Sequence, residues 1–275
     1  DFGATNRTPP GTPRALVNQI VDELAAADHA AMPYLRRLLN RGFTSRAVNA
    51  MAPRIAEIVH ETIDAVVGRR AIDFIRDLAY RIPAAVIMEM LGASRGEIEA
   101  FKLWSDDLGL FIGSSRVTAD KYERAETAMT NLTGAFRELV AERRRRPRTD
   151  MISDLIRAED AGEVLGEQEL IATCVLLLFA GHETTGNLLG TGMYYLTRHP
   201  DQLDDLRRHP ELAESAVEEI LRYDGPNAAV TRVAAEDIEF GGHRPLQEGP
   251  RLFTPDGGQC PRDGFPDNHL FDIHR

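Results

Sequence analysis

Ala180-Gly181-His182-Glu183-Thr184-Thr185 sets an acid and two alcohols just after a glycine, in the middle of an apolar helical run. Burying such groups costs free energy unless they are hydrogen-bonded, so a polar cluster in an apolar helix marks a candidate site. The chemistry on offer is proton transfer, since an acid beside a hydroxyl can relay a proton. Gly181 softens the helix by about 1 kcal/mol relative to Ala. Thr184 follows Ala180 by four residues, within reach of its carbonyl, and such back-bonding bends helices. These residues alone leave a core helix with a tolerated polar notch equally open. His182-Glu183 is not a zinc-protease helix, because the position four after His182 is Gly186.

A second pair is Glu219 and Arg222, three apart in Glu219-Ile220-Leu221-Arg222 and so on one helical face. Taken alone, it reads as a surface ion pair worth under about 1 kcal/mol. The two cysteines, Cys174 and Cys260, make no disulfide framework and lack the spacing of a structural metal site, which fits a reducing cytoplasm. Arg143 to Arg146 reads as the solvated end of a helix rather than a binding patch.

The elements that must position these groups are mostly helical. Arg46–Val67 carries Val48, Met51, Ile55, Ile58, Val59, Ile63 and Val66 at helical spacing and closes at Gly68. Ile72–Leu91 is a second helix ending at Gly92, kinked or restarted at Pro83. Ser94 and Glu97 form a capping box for a third helix towards Leu110. Thr118–Arg146 is long and amphipathic, and Met151–Glu159 is short. Glu167–Thr197 carries the polar notch and is about 45 Å long at ~1.5 Å per residue. Asp201–Arg208 and Glu211–Tyr223 follow, each introduced by a proline. Val230 to Val233 and Ile238 to Phe240, before Gly241-Gly242, read as short strands. From His243 onward Pro and Gly are dense and periodicity disappears.

A formal net charge of −11 argues against nonspecific binding to nucleic acid or an anionic membrane, which needs a basic face. The N-terminus has no signal pattern, and the longest apolar run, Cys174 to Ala180, is far too short to cross a bilayer.

The order of these pieces resembles the cytochrome P-450 family of haem-thiolate monooxygenases, of the bacterial soluble type. A-G-x-E-T-T is followed by E-x-x-R at a separation of 36 residues (219 minus 183). Thr231-Arg232-Val233-Ala234, Glu236-Asp237 and Gly241-Gly242 look like the strand region that follows. Leu35 to Thr44 looks like the helix and loop near the haem, and Phe265-Pro266-Asp267 with Phe271-Asp272 like the segment before the ligand loop. The resemblance runs from about Val17 to Arg275. It implies a mainly α fold with a small β part, an incomplete P-450 fold in a single domain over 1–275, short at both ends.

The resemblance implies haem b, with its iron, as cofactor. It gives Gly181, Glu183 and Thr184 the role of activating oxygen by delivering protons. Arg36 and Arg232 match arginines that pair with haem propionates, Ala180 matches a position on the haem face, and Glu219 with Arg222 matches a structural pair. A guanidinium suits a propionate because it gives bidentate, charge-assisted bonds. The implied reaction is hydroxylation or epoxidation of a small organic molecule with dioxygen. Electrons come from a ferredoxin or flavodoxin-type donor in the cytoplasm, with no nucleic acid or membrane partner.

This chain departs from the pattern in several places. The thiolate cysteine that pushes electron density onto the iron is expected beyond Arg275. Cys260 precedes Phe265, and Cys174 lies on the helix bordering the opposite haem face, so neither replaces it. Without it the chain by itself is expected to be inactive. The loop before Leu35 lacks the usual Asp-Pro-Pro, reading Asp28-His29-Ala30 and reaching Met32 at the position of a family histidine. Leu270 replaces the arginine that joins Glu219 and Arg222, which leaves that pair less well satisfied. Pro245 to Gly264 reads as scrambled where alternating strand residues are expected. The alternative reading is a non-catalytic fragment or partner-binding remnant without functional haem, and a third is an all-helical small-molecule-binding module. Phe101, Trp104, Leu108, Leu110 and Phe111 suggest an apolar pocket lining, although residues at this spacing are more often core.

Overall fold

Amphipathic spacing becomes helix along most of the chain in the computed structural model. The structure describes residues 45–112, 118–160, 166–227, 230–233, 250–253, 267 and 269–275. Expectations for residues 1–44, for Ile238–Phe240 and for Phe265-Pro266 lie outside the described residues. Two units divide within one long helix, the first ending at Glu183 and the second beginning at Thr184.

In the first unit, α1 spans Ser45–Asp64. Ile58 and Val66 are buried as the spacing predicts, but Val48 and Ile63 are exposed. Arg54 instead ties α1 to the next helix, its guanidinium donating to both Glu89 carboxylate oxygens at 2.5 and 2.8 Å. The single helix expected over Ile72–Leu91 is two elements. Ile75–Ala79 is a π-helical turn, closed by Tyr80 N–H donating to the Ile75 carbonyl at 3.0 Å. Arg81–Leu91 is α2, with Pro83 in its first turn, where a missing N–H is tolerated. Gly92 ends it at φ 83°, a left-handed conformation that glycine adopts without strain.

Ser94 caps a 3₁₀ turn, Arg95–Glu97, by accepting from Gly96 N–H, so the cap falls one residue short of the Glu97 expected for a capping box. Ile98–Ile112 is α3, Lys121–Arg145 is α4 and Met151–Asp160 is α5. Glu167–Arg198, α6, is a single helix of 32 residues. The core of this unit joins Met88 and Leu91 of α2, Phe101 and Leu108 of α3, and Leu132 and Phe136 of α4. Ile152 and Leu155 of α5 and Leu170, Cys174 and Leu178 of α6 complete it. Phe101 and Trp104 belong to this packing, with Phe101 edge-on to Phe136 at 5.6 Å, so the core reading holds for them.

In the second unit, Pro200–Arg208 is α7 with Pro200 in its first turn. A 3₁₀ turn at Pro210–Leu212 leads into α8, Ala213–Asp224. Leu196, Ala216, Ile220, Phe271 and Ile273 form its core, and Tyr195 stacks on Phe271 at 5.6 Å. Gln202 holds the 271–273 backbone through both ends of its amide, donating to Phe271 O and accepting from Ile273 N–H. Val230–Val233 (β1) pairs antiparallel with Pro250–Phe253 (β2), Arg232 opposite Arg251. β2 lies in the stretch where no strand periodicity was expected. Four residues are too few to show a period, and its proline sits at the ladder's end, where a missing N–H is harmless. Among the described residues, no helix is long and apolar enough to cross a membrane.

Candidate functional site

The polar notch lies midway along α6. Gly181 lies tight against α2, because a Cβ placed there would stand 2.8 Å from Ile87 Cγ1 and 3.0 Å from its Cδ1. On this side the helix is closed. Ala180, by contrast, is exposed, and Thr184, one turn on and on the same face, is half-buried. A Gly181→Ala change gains about 1 kcal/mol of helix propensity but overpacks Ile87, which costs about 1–3 kcal/mol. The expected result is a net loss of stability that shrinks when Ile87→Ala is made in the same chain, read by denaturant melts of the four variants.

Glu183 is half-buried. Its Oε2 would lie 3.6 Å from a methyl placed at Gly109 of α3, so the glycine lets α3 come close to the carboxyl. Burial first, and then the negative charge of Asp106, push the Glu183 carboxyl above the usual carboxylate range, with Lys102 opposing. The result is an acid that holds its proton more firmly than an exposed glutamate.

His182 is buried, and its Nδ1 lies 2.6 Å from the Leu178 carbonyl oxygen. A carbonyl only accepts, so Nδ1 carries the proton. Burial lowers the imidazole pKa and keeps the ring neutral. The edge of Tyr80 meets the ring at 5.2 Å, and Lys102 Nζ stands 4.2 Å from the Tyr80 centroid.

Cys174 has no exposure, and burial pushes its thiol up to about 12. It stays a thiol and packs as a small hydrophobe, consistent with its exclusion as an iron ligand. Cys260 and Arg36 lie outside the described residues. Arg232 is described by its backbone in β1.

Glu219 and Arg222 do not form a surface pair. The Glu219 side chain is 1% exposed, and Arg222 donates to both its oxygens, Nε to Oε2 at 2.6 Å and a terminal nitrogen to Oε1 at 2.8 Å. Leu270 stands where the resemblance expects a third arginine, but the carboxylate is not left short. Asp272 N–H donates to Oε1 at 2.8 Å, and Arg275 Nε approaches Oε2 at 3.7 Å. The Leu270 carbonyl also takes part, accepting from Arg222 at 3.0 Å. A cavity of about 370 Å³ opens beside this cluster, between Ser215, Glu218 and Arg275.

Arg143 corrects the reading of the basic run. It is 1% exposed and donates to Asp150 Oδ2 at 2.5 Å and to the Gly92 carbonyl at 2.6 Å, while Arg144 to Arg146 are exposed. A usable signal was present, since 143 continues the buried stripe of Leu132, Phe136 and Val140. Helical position, not residue type, sets Arg143 apart from its neighbours.

Known proteins resemble this chain along most of its length. Residues 5–275 match the family described as Cytochrome P450. The cytochrome P450 monooxygenase PikC of Streptomyces venezuelae is 38% identical over 247 residues, 88% of this chain and 57% of its own length. The 6-deoxyerythronolide B hydroxylase of Saccharopolyspora erythraea is 34% identical over 266 residues, 96% of this chain and 64% of its own length. The chain thus spans about three-fifths of these relatives. The crystal structure of P450BioI with an acyl carrier protein ligated to hexadec-9Z-enoic acid superposes with a TM-score of 0.84 at 34% identity, covering 90% of this chain and 64% of that one. A mainly helical fold, a family match over nearly all its residues and relatives well above 30% identity place this chain in the cytochrome P450 family.

Proposed function

We propose that the protein is a haem-dependent monooxygenase and that Ala180–Thr184 forms the oxygen-activating face of its haem pocket. The observation that carries this reading is Glu183, a half-buried acid with a raised pKa, followed in sequence by Thr184 on α6. The α6 residues fit a flat apolar macrocycle. Gly181 closes one side of the helix against Ile87, while Ala180 leaves a small exposed surface one turn from Thr184. Arg36 and Arg232 would hold its propionates. Cys174 does not fit the thiolate role, since it is fully buried in the core of the first unit. We also read the two units as parts of one domain, because α6 runs unbroken through Glu183 and Thr184.

The haem, when bound, supplies the reductive activation of dioxygen, with electrons from a ferredoxin or flavodoxin-type donor. The chain's own residues manage protons. Glu183 retains a proton because burial and Asp106 disfavour its carboxylate, and Thr184 offers a hydroxyl that both accepts and donates. The substrate is a small organic molecule, and hydroxylation is the expected outcome by analogy with the hydroxylase relative. The cytoplasm is the compartment this chemistry suits.

Two measurements test the reading. The complete protein, supplied with haem, reduced and exposed to carbon monoxide, should give the red-shifted Soret band of a thiolate-ligated haem; its absence overturns the proposal. Glu183→Gln should then leave that band unchanged and lower turnover by about 100-fold, at the low end of what a positioned acid contributes. The same change should make the fold slightly more stable near neutral pH. A raised folded-state pKa means that ionising Glu183 opposes folding above its ordinary value of 4.5, and this effect vanishes below that value.

A further inference from the structure

Three polar atoms inside the first unit are sealed from solvent without a hydrogen-bond partner among the described residues: Ser105 Oγ, His182 Nε2 and Arg143 Nη1. The last stands 3.0 Å from the Glu142 carboxylate as an ion pair, which leaves the first two unexplained. Ser105 has no exposure and His182 is 1% exposed. Because the Nδ1 proton is donated to the Leu178 carbonyl, Nε2 presents a lone pair and only accepts. Ser105 can donate as well as accept. A buried acceptor with no donor costs about 1–3 kcal/mol, so two such defects in one well-packed core call for a cause.

Contacts among their neighbours link the two side chains. Ser105 stands on α3 three residues after Lys102 and four before Gly109, so all three share one helical face. Lys102 sits over the Tyr80 ring, and Tyr80 meets the His182 ring edge-on. Gly109 approaches Phe179 and Glu183, the latter next to His182 on α6. Ser105 is therefore flanked by Lys102 and Gly109, which lie against Tyr80 and Glu183, the ring neighbour and the chain neighbour of His182. The two atoms do not bond to each other directly.

We propose that Ser105 Oγ and His182 Nε2 together bind one buried water molecule. That water donates one hydrogen to Nε2 and satisfies the Ser105 hydroxyl, closing both defects at once. Internal waters of this kind make two to four hydrogen bonds to otherwise unpaired groups and belong to the fold. The site does not depend on haem or on the role proposed for Glu183, so it stands or falls separately from the functional reading.

The test is a thermodynamic cycle with Ser105→Ala and His182→Phe, measured by thermal unfolding. If one water serves both groups, each single change lowers Tm, and the double variant loses clearly less than the sum, because the water is lost once. If the atoms are orphans, Ser105→Ala leaves Tm unchanged or raises it, and the proposal is overturned; His182→Phe also breaks the Nδ1 bond to Leu178 and lowers Tm in either case. Losses that simply add overturn it as well. Should His182→Phe fail to fold, electron density of the unmutated protein decides instead. A peak within about 3 Å of both atoms supports the site, and an empty gap or a direct Oγ–Nε2 bond sinks it.

Discussion

Replacing Arg143 by Met is expected to lower the unfolding free energy by about 3–5 kcal/mol, measured by chemical denaturation. The side chain is close in size, so the loss comes from stranding its partners. Arg143 is 1% exposed and the Asp150 side chain 5% exposed, and the pair is closed by hydrogen bonds rather than by solvent. Removing the guanidinium leaves a buried carboxylate and an unpaired Gly92 carbonyl. Asp150 also accepts from Ser153 N–H at 2.8 Å, capping the start of α5, so a carboxamide at 150 keeps the cap while dropping the charge. The Arg143→Met, Asp150→Asn double variant should therefore lose less than the sum of the two single losses.

The same pair sets a pH dependence. Burial alone would raise the Asp150 carboxyl, but hydrogen bonds from Arg143 and Ser153 outweigh it and hold the pKa below its ordinary value of 3.8. A depressed folded-state pKa stabilises the fold fully above 3.8, and that contribution is lost as pH falls through the lower folded value. Melts between pH 5 and pH 2 should show this loss in the parent chain and less of it in Asp150→Asn.

Glu219→Ala is expected to cost a comparable amount, about 3–5 kcal/mol, because the carboxylate joins three unequal arms. Arg222 grips both oxygens, the Asp272 N–H takes one, and Arg275 lies at the longer distance of 3.7 Å. Deleting the centre releases all three and leaves Ser215, whose hydroxyl donates to the Ile273 carbonyl at 2.6 Å, to hold the 271–273 backbone on α8. The arms should rank by geometry, with Arg222→Ala well above Arg275→Ala. The latter, a third exposed and beyond hydrogen-bond length, should cost on the order of 1 kcal/mol or less. Equal losses from the two arginines would contradict this view of the cluster.

Much of the helical framework was legible from spacing alone. The limits of α4, α6, α7 and α8 fall within three residues of those the apolar pattern predicts, since α4, α6 and α8 bury apolar residues at helical spacing and α7 half-buries Leu203 and Leu206. The acid–alcohol notch was legible for the same reason: polar residues interrupt an apolar helix and stand out. Arg143 and Glu219 were not, because a buried ion pair has the same composition as a solvated one. Both sit on the apolar stripe of their helix, Arg143 after Val140 and Glu219 after Ala216, and that register carries the information. The π-turn at Ile75–Ala79 left no trace, as one extra residue in a turn barely disturbs helical spacing. Ser105 and Tyr80 became visible only through the neighbours that tertiary packing brought to them.

The contact between Gly181 and Ile87 carries a lesson for recombination. Exchanging segments with relatives is a usual way to build new variants of such proteins, and crossovers are normally placed between helices. A crossover anywhere between α2 and α6 separates two positions that must be read together, since residue 87 occupies the space a Cβ at 181 would need. Chimaeras that inherit 87 from one parent and 181 from another should fail whenever both bring bulk, and survive whenever one parent supplies the glycine or a smaller partner. For library design, these two positions behave as one inherited block.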